Sequence, residues 1–141
     1  MTVPSLPSKP SLTLAAARQV VAAAEHEAVR NDLRLSIAVV DEAGLLLHFA
    51  RMDGVHAGTC EVAVAKGKTA ALFRKPTKVF AEALANGGQG ILALPNMLPF
   101  AGGIPLVFDG AVVGAIGVSG ASPDMDAQVA AAGASVVSVE G

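Results

Sequence analysis

Lys66 is the residue whose position most strongly suggests chemistry. The stretch 58–73 is apolar around most of its circumference at helical spacing, which predicts a helix buried on more than one side. At roughly 100° per residue, Lys66 lies about 55° from the centre of the richest apolar face. A buried ammonium without a partner is costly. Lys66 is therefore a candidate base or an anchor for a substrate carboxylate, and the alternative is a structural ion pair with Asp53, Asp41 or Glu61.

Arg51 and Asp53 form a second candidate group in the turn Arg51-Met52-Asp53-Gly54. The planar guanidinium of an arginine suits a carboxylate or another acidic group on a ligand. Asp53 would assist as a catalytic carboxylate. The alternative interpretation is that Asp53 caps the turn and that Arg51 is a surface cation at the end of a strand.

A glycine-rich segment provides a third candidate. Gly102 and Gly103 follow Phe100-Ala101, and their backbone N–H groups could face an anion or an oxyanion. A tight turn with positive φ explains the pair equally well. The apolar run 111–119 that follows is interrupted by glycines, which indicates that something approaches its backbone closely. We expect a ligand beside this glycine-rich strand and the loop that begins at Phe100.

These residues must be positioned by alternating helices and hairpins. The hydrophobic patterns predict helices over about 13–31, 58–73 and 77–85 and from Ser122 onward, and strands over 35–40, 45–51, 104–108 and 111–119. Asp109-Gly110 is the typical signal of a tight hairpin. In the second strand, alternation places Leu45, Leu47, Phe49 and Arg51 on one face. The order helix, hairpin, helices, hairpin, helix predicts an α+β fold, an antiparallel sheet covered by helices.

Composition limits the possible partners. The chain has 141 residues, enough for one domain, and 52% of them are apolar while only 16% are charged. This composition favours a homo-oligomer that covers part of an apolar surface. The net charge is −2, and there is no Trp or Tyr, which argues against nucleic acid as a partner. No segment approaches the roughly 18–20 apolar residues that a membrane span needs.

Cysteine usage and the first residues bear on the compartment. Cys60 is the only cysteine, so neither an intramolecular disulfide nor a cysteine-based zinc site is expected. Residues 1–11 lack the basic and apolar regions of a signal peptide, and we interpret them as a disordered lead before a single domain at 12–141. A cytoplasmic location fits these features. No dinucleotide-binding GxGxxG and no GxSxG nucleophile motif is present.

Four segments together resemble the GlcG/HbpS-like family, whose domain also occurs at the C-terminus of PduO-type corrinoid adenosyltransferases. The segments are SIAVVDEAGLLLHFARMDG at 36–54, AVAKGKTAA at 63–71, FAGGIPL at 100–106 and GAIGVSGASPDMDAQVAAAGA at 114–134. The resemblance implies a profilin- or roadblock-like α/β/α sandwich with a five-stranded antiparallel sheet. It also implies homo-oligomers, from dimers up to octamers, and haem as a ligand of some members. The family tends to carry a lysine where this chain has Lys66.

Haem binding would need a strong axial ligand for the iron. His48 and His56 flank the turn at 51–54 and are preferred, although each can equally be an ordinary surface histidine. His26 is predicted to face solvent. The haem-contacting threonine of the family corresponds to either Thr69 or Thr77. A metal site formed by His48, His56 and Asp53 is a weaker option, because their spacing matches no known ligand pattern.

Three functions therefore remain open. The first is an oligomeric small-ligand protein with haem or a related tetrapyrrole as the leading ligand, bound between the turn at 51–54, the Lys66 helix and the Gly102-Gly103 loop. The second is a cofactor-independent enzyme in which Lys66 performs acid–base chemistry on a small carboxylate or carbonyl compound held by Arg51. The third is a structural subunit whose apolar helices serve assembly alone.

Overall fold

The computed structural model describes residues 1–138 and contains the predicted order of helices and hairpins. The last three residues of the expected domain, 139–141, lie outside the described residues. The elements are α1 (Leu14–Arg30), β1 (Ser36–Asp41), β2 (Leu46–Arg51), α2 (Gly58–Phe73), α3 (Thr77–Ala85), a 3₁₀ helix (Gln89–Ala93), β3 (Gly103–Phe108), β4 (Ala111–Ser119) and α4 (Pro123–Ala134). Within residues 1–138, no helix combines the length and apolar character that crossing a membrane requires.

Local sequence signals explain where the elements begin and turn. The Thr13 hydroxyl accepts a hydrogen bond from the Ala16 N–H at 3.1 Å and caps α1. Pro123 opens α4 directly after Ser122, the N-cap. Asp109 and Gly110 both have positive φ, at 51° and 77°, which is the backbone of a two-residue hairpin turn of type I′.

The sheet has four strands, in the order β2-β1-β4-β3, and all neighbours are antiparallel. The expectation of a fifth strand, implied by the resemblance, is therefore wrong for the described residues. The segment between α3 and β3 forms a 3₁₀ helix and irregular turns instead. Pro95 and Pro99 in this segment have no N–H to donate to a strand ladder.

The helices cover the two faces of the sheet unequally. On one face α1 and α4 enclose the main core, to which the sheet contributes large aliphatic side chains: Ile37, Val39, Leu106, Val113, Ile116 and Val118. On the other face α2 packs over β1 and β4, with a small core of Val40, Ala70, Ala71 and Ala115. The edge strand β2 is not covered by α2, and its residues are exposed or half-buried.

The glycines of β4 permit close packing of α2. A Cβ at Gly117 would overlap the carbonyl oxygen of Ala63 and lie 3.0 Å from the Cα of Gly67, both in α2. The group that approaches this strand is thus the protein's own helix. The prediction of a ligand beside these glycines is wrong for Gly117, because the space is filled by backbone.

A β-bulge changes the predicted faces of β2. The register between β1 and β2 shifts between Val39, which pairs with His48, and Val40, which pairs with Leu46. Leu47 is the extra residue, and it packs against the main core on the α1 side. The prediction that Leu47 shares a face with Phe49 is therefore wrong, since one inserted residue reverses the alternation.

Candidate functional site

Lys66, in α2, is buried, and its side chain reaches the first turn of α4. Its side chain is 4% exposed, and its Nζ donates hydrogen bonds to the Val118 carbonyl oxygen and to Asp126 Oδ2, each at 2.9 Å. The predicted burial of Lys66 is confirmed. The predicted ion-pair partners Asp53, Asp41 and Glu61 are wrong, because the carboxylate comes from the first turn of α4, far away in sequence.

Asp126 completes this buried ion pair. Its Oδ1 accepts a hydrogen bond from the Ala121 N–H at 2.9 Å, and its side chain is 3% exposed. Burial raises the pKa of the Asp126 carboxyl above its usual range, while the hydrogen bond from Lys66 and those from the backbone act in the opposite direction. The pair joins α2 to the first turn of α4. The helix predicted from Ser122 onward includes Asp126, but no pattern in the sequence indicated this contact.

The Gly102-Gly103 segment covers the ammonium of Lys66. A Cβ at Gly102 would lie 2.9 Å from Lys66 Nζ and 2.7 Å from the Val118 carbonyl oxygen, and Gly102 has a φ of 129°. The Gly103 N–H donates to Thr77 Oγ1 at 2.9 Å. Close packing and a positive φ thus explain Gly102. The N–H of Gly103 is already bonded inside the protein and does not point to an open site.

Both candidate threonines are fully buried and bonded to backbone. Thr69 Oγ1 donates to the Asn96 carbonyl oxygen at 2.7 Å and accepts from the Leu98 N–H at 3.0 Å. Thr77 holds Gly103, as described above. Thr69 therefore fixes the loop at 94–98 on α2, and Thr77 fixes the start of β3.

The turn at 51–54 is exposed, apart from its half-buried Met52. The Arg51 guanidinium donates from Nε and Nη2 to the Val55 carbonyl oxygen, at 3.3 and 2.9 Å. No ion pair between Arg51 and Asp53 occurs within residues 1–138. The Asp53 carbonyl oxygen accepts a hydrogen bond from Arg34 Nη1 at 3.0 Å, while its side chain faces solvent.

An apolar groove lies where α2 leaves β2 uncovered. Its volume is about 450 Å³. We call this the β2–α2 groove, and it is lined by Leu46, Phe49, Cys60, Glu61, Val64, Ala65 and Lys68. Arg51 follows Phe49 on the same face of β2, beside the Cys60 end, and Lys68 stands at the opposite end near Gly44. The groove therefore has apolar walls, a half-buried thiol and the Glu61 carboxylate in its lining, and a cation towards each end.

The histidines are not brought together. His48 pairs with Val39, whose side chain lies in the main core, so His48 is on the α1 face of β2 and not in the groove. His56 is exposed in the loop before α2, and His26 is exposed as predicted. Within residues 1–138, no group of three His, Cys, Asp or Glu side chains could hold a metal ion. Phe100 is also exposed, at 54%.

A larger concavity, of about 790 Å³, lies between the segment 10–19 and the β3–β4 turn. Its walls are mostly aliphatic, and Gln19 and Asp109 are among its few polar side chains. It includes no cation and none of the candidate iron ligands. The β2–α2 groove is smaller but brings together more of the groups that a charged cofactor would require.

The sequence has clear relatives. A protein family described as "Haem degrading protein HbpS-like" matches residues 12–135. The chain is 39% identical to Protein GlcG of Escherichia coli K12 over 103 residues, which cover 73% of this chain and 77% of that protein.

Solved structures show the same fold. HbpS of Streptomyces reticuli, solved as a double mutant, is 36% identical, with a TM-score of 0.85 over 97% of this chain and 98% of that chain. A complex of PduOC with haem is 24% identical, with a TM-score of 0.83 over 93% of this chain and 98% of that chain. At this identity the second likeness supports the fold alone.

Proposed function

The chain belongs to the HbpS-like family, described as haem-degrading proteins, and we propose that it binds haem or a related tetrapyrrole in the β2–α2 groove. The observation that carries this proposal is the make-up of the groove, whose mostly apolar lining includes one thiol, the Glu61 carboxylate and the cation Lys68. Arg51 adds a second cation beside the lining, next to the Cys60 end. Ligand sites of this kind are mostly apolar with a few polar groups that fix orientation.

The residues present fit a haem group in three respects. Leu46, Phe49 and Val64 offer an apolar surface for the macrocycle. The Cys60 sulfur belongs to one of the side-chain classes that ligate haem iron. Arg51 uses Nε and Nη2 internally, which leaves Nη1 for a propionate. Bound haem would supply iron-centred redox chemistry, and the chain's part is to hold and orient it.

The same contacts explain why we do not assign the function to Lys66. Its ammonium has two internal acceptors and is covered by Gly102, so a substrate could reach it only after that segment moved. Arg51, the other residue of the acid–base hypothesis, lies at the end of the edge strand β2, where its guanidinium bonds to the Val55 carbonyl oxygen. The geometry therefore supports a structural ion pair at Lys66 and a ligand at the groove.

We also propose that the protein self-associates and acts in the cytoplasm. Large apolar side chains remain exposed on this chain, including Leu45 at 63%, Leu92 at 62% and Phe100 at 54%. The single, half-buried cysteine supports a reducing compartment. Sedimentation of the purified protein measures the oligomer directly.

A haemin titration followed by the Soret band tests the ligand. We expect a saturable, shifted band in the wild-type protein. Ala65→Glu places a carboxylate in the groove and should weaken binding at least tenfold, whereas Leu92→Glu, on an exposed residue elsewhere, should not. A band that never saturates, or equal affinity in the two variants, would refute the proposed site.

The axial ligand is tested in the same titration. Cys60→Ser keeps the size of the side chain but removes the thiolate, and we expect it to move the band. His56→Ala tests the histidine nearest in sequence to the same end of the groove. His48→Ala is the matched control, because His48 lies on the other face of β2. If His48→Ala alone moves the band, the groove is not the haem site.

A further inference from the structure

The two edge strands of the sheet, β2 and β3, differ in whether their outward backbone N–H groups are free to pair with another strand. On β3 the alternate residues Gly103, Pro105 and Val107 share one orientation. The Gly103 N–H donates to Thr77 Oγ1 at 2.9 Å, and the Val107 N–H donates to Ser138 Oγ at 2.8 Å. Pro105 has no N–H. Each of these three positions therefore either lacks a donor or has used it within the chain.

The edge of β2 has no such protection. The Met52 N–H donates to the Leu35 carbonyl oxygen at 3.0 Å, so Met52 and the alternate residues Ala50 and His48 turn their backbone groups towards β1. Phe49 and Arg51 turn theirs outward. Within residues 1–138, no backbone or side-chain group outside β1 bonds to the backbone of β2. A strand left this way is a template for pairing with another chain.

The side chains of β2 also suit a partner strand. Proline and charged side chains commonly block edge pairing; the strand LLHFAR contains no proline, and its only charged residue is Arg51 at its end. Leu46 is 51% exposed, and Phe49 is half-buried on the same face. This face continues into the apolar β2–α2 groove. The open backbone and the apolar surface therefore occur on the same strand.

We propose that two copies of the chain pair through β2, antiparallel and centred on Phe49. In this register the outward backbone groups of Phe49 meet those of Phe49 in the second copy, and the two Arg51 residues lie at opposite ends of the paired segment. Arg51, the only charged residue of the strand, therefore does not face Arg51 of the second copy, and the two Phe49 rings become neighbours. The product is a continuous eight-stranded sheet.

A second copy explains the edge better than an unrelated extended peptide. When the two copies are related by a two-fold axis perpendicular to the sheet, their α2-covered faces point the same way. Both α2 helices and both grooves then lie on one face of the joined sheet. Because β3 is protected, pairing through the sheet stops at two copies. The proposal names a surface for the self-association proposed above, and it does not depend on haem.

The test is the native mass, by sedimentation, of charge variants at the two-fold position without haem. Phe49→Glu and Phe49→Lys each place like charges opposite one another, and each should halve the wild-type mass. Mixing the two variants should restore it, because the opposite charges then pair. Val107→Glu puts the same charge on β3 and should leave the mass unchanged. Circular dichroism confirms that each variant is folded.

Several results would overturn the proposal. If the wild-type protein is a monomer, both the surface and the self-association proposed above are refuted. If the wild-type protein is an oligomer and folded Phe49→Glu keeps its mass, only the β2 surface is refuted. Failure of the mixed, folded variants to reassociate also refutes the register, because opposite charges at the axis should attract.

Discussion

Replacing Lys66 by methionine should destabilise the protein strongly. Met keeps much of the side-chain volume but removes the ammonium that serves Asp126 Oδ2 and the Val118 carbonyl oxygen. Breaking a buried pair by removing one partner typically costs about 3–5 kcal/mol. At ~2.1 cal/mol/K per residue, a chain of 141 residues has an unfolding entropy of about 0.3 kcal/mol/K. The expected fall in Tm is therefore about 10–17 °C.

Urea unfolding at neutral pH measures this loss as a change in the free energy of unfolding, and calorimetry measures the change in Tm. Lys78→Met is the matched control, because the Lys78 side chain is 59% exposed and its ammonium is 4.0 Å from Glu82. We expect the control to change the free energy by less than about 0.5 kcal/mol. The double variant Lys66→Met with Asp126→Leu removes both charges and should recover part of the stability that Lys66→Met loses.

A free energy of unfolding of Lys66→Met within about 1 kcal/mol of the wild-type value would contradict a stabilising buried ion pair, because an unpaired buried carboxylate is costly. The same ion pair would be contradicted if the double variant loses more free energy of unfolding than the two single variants lose together. That result would mean that the side chains contribute mainly by packing, and that the ion pair does not join α2 to α4.

Two further predictions concern packing and pH. Gly117→Ala should destabilise the protein by about 3 kcal/mol or more, since the added Cβ would overlap the carbonyl oxygen of Ala63. Gly90→Ala is the control, because a Cβ at Gly90 would meet open space. Equal urea midpoints for the two variants would contradict close packing of α2 on Gly117. Because burial raises the pKa of Asp126, protonation of this carboxyl favours the folded state. The free energy of unfolding of the wild-type protein, minus that of Asp126→Asn, should therefore rise as pH falls from neutrality towards 3.8, and this gain should be lost as pH rises. Urea titrations at several pH values measure the difference, and a difference that does not change with pH would contradict the prediction.

Much of the fold could be predicted because its signals are local. The cap at Thr13, the proline at the start of α4 and the Asp109-Gly110 turn each act through the backbone of a few neighbouring residues. Helical periodicity also placed Lys66 on a buried face, because burial of an amphipathic helix follows its own pattern. The fifth strand came from resemblance alone, and the residues themselves had indicated two hairpins.

The sequence by itself determined the elements, their order, the burial of Lys66 and the likeness to the HbpS-like family. Only the tertiary structure decided which carboxylate meets Lys66, since Asp126 is separated from it by 60 positions and arrives by the folding of α4. The bulge in β2 and the difference between the two sheet edges were likewise decided by pairing between strands. Contacts of this kind depend on how elements pack together, and no pattern within one element encodes them.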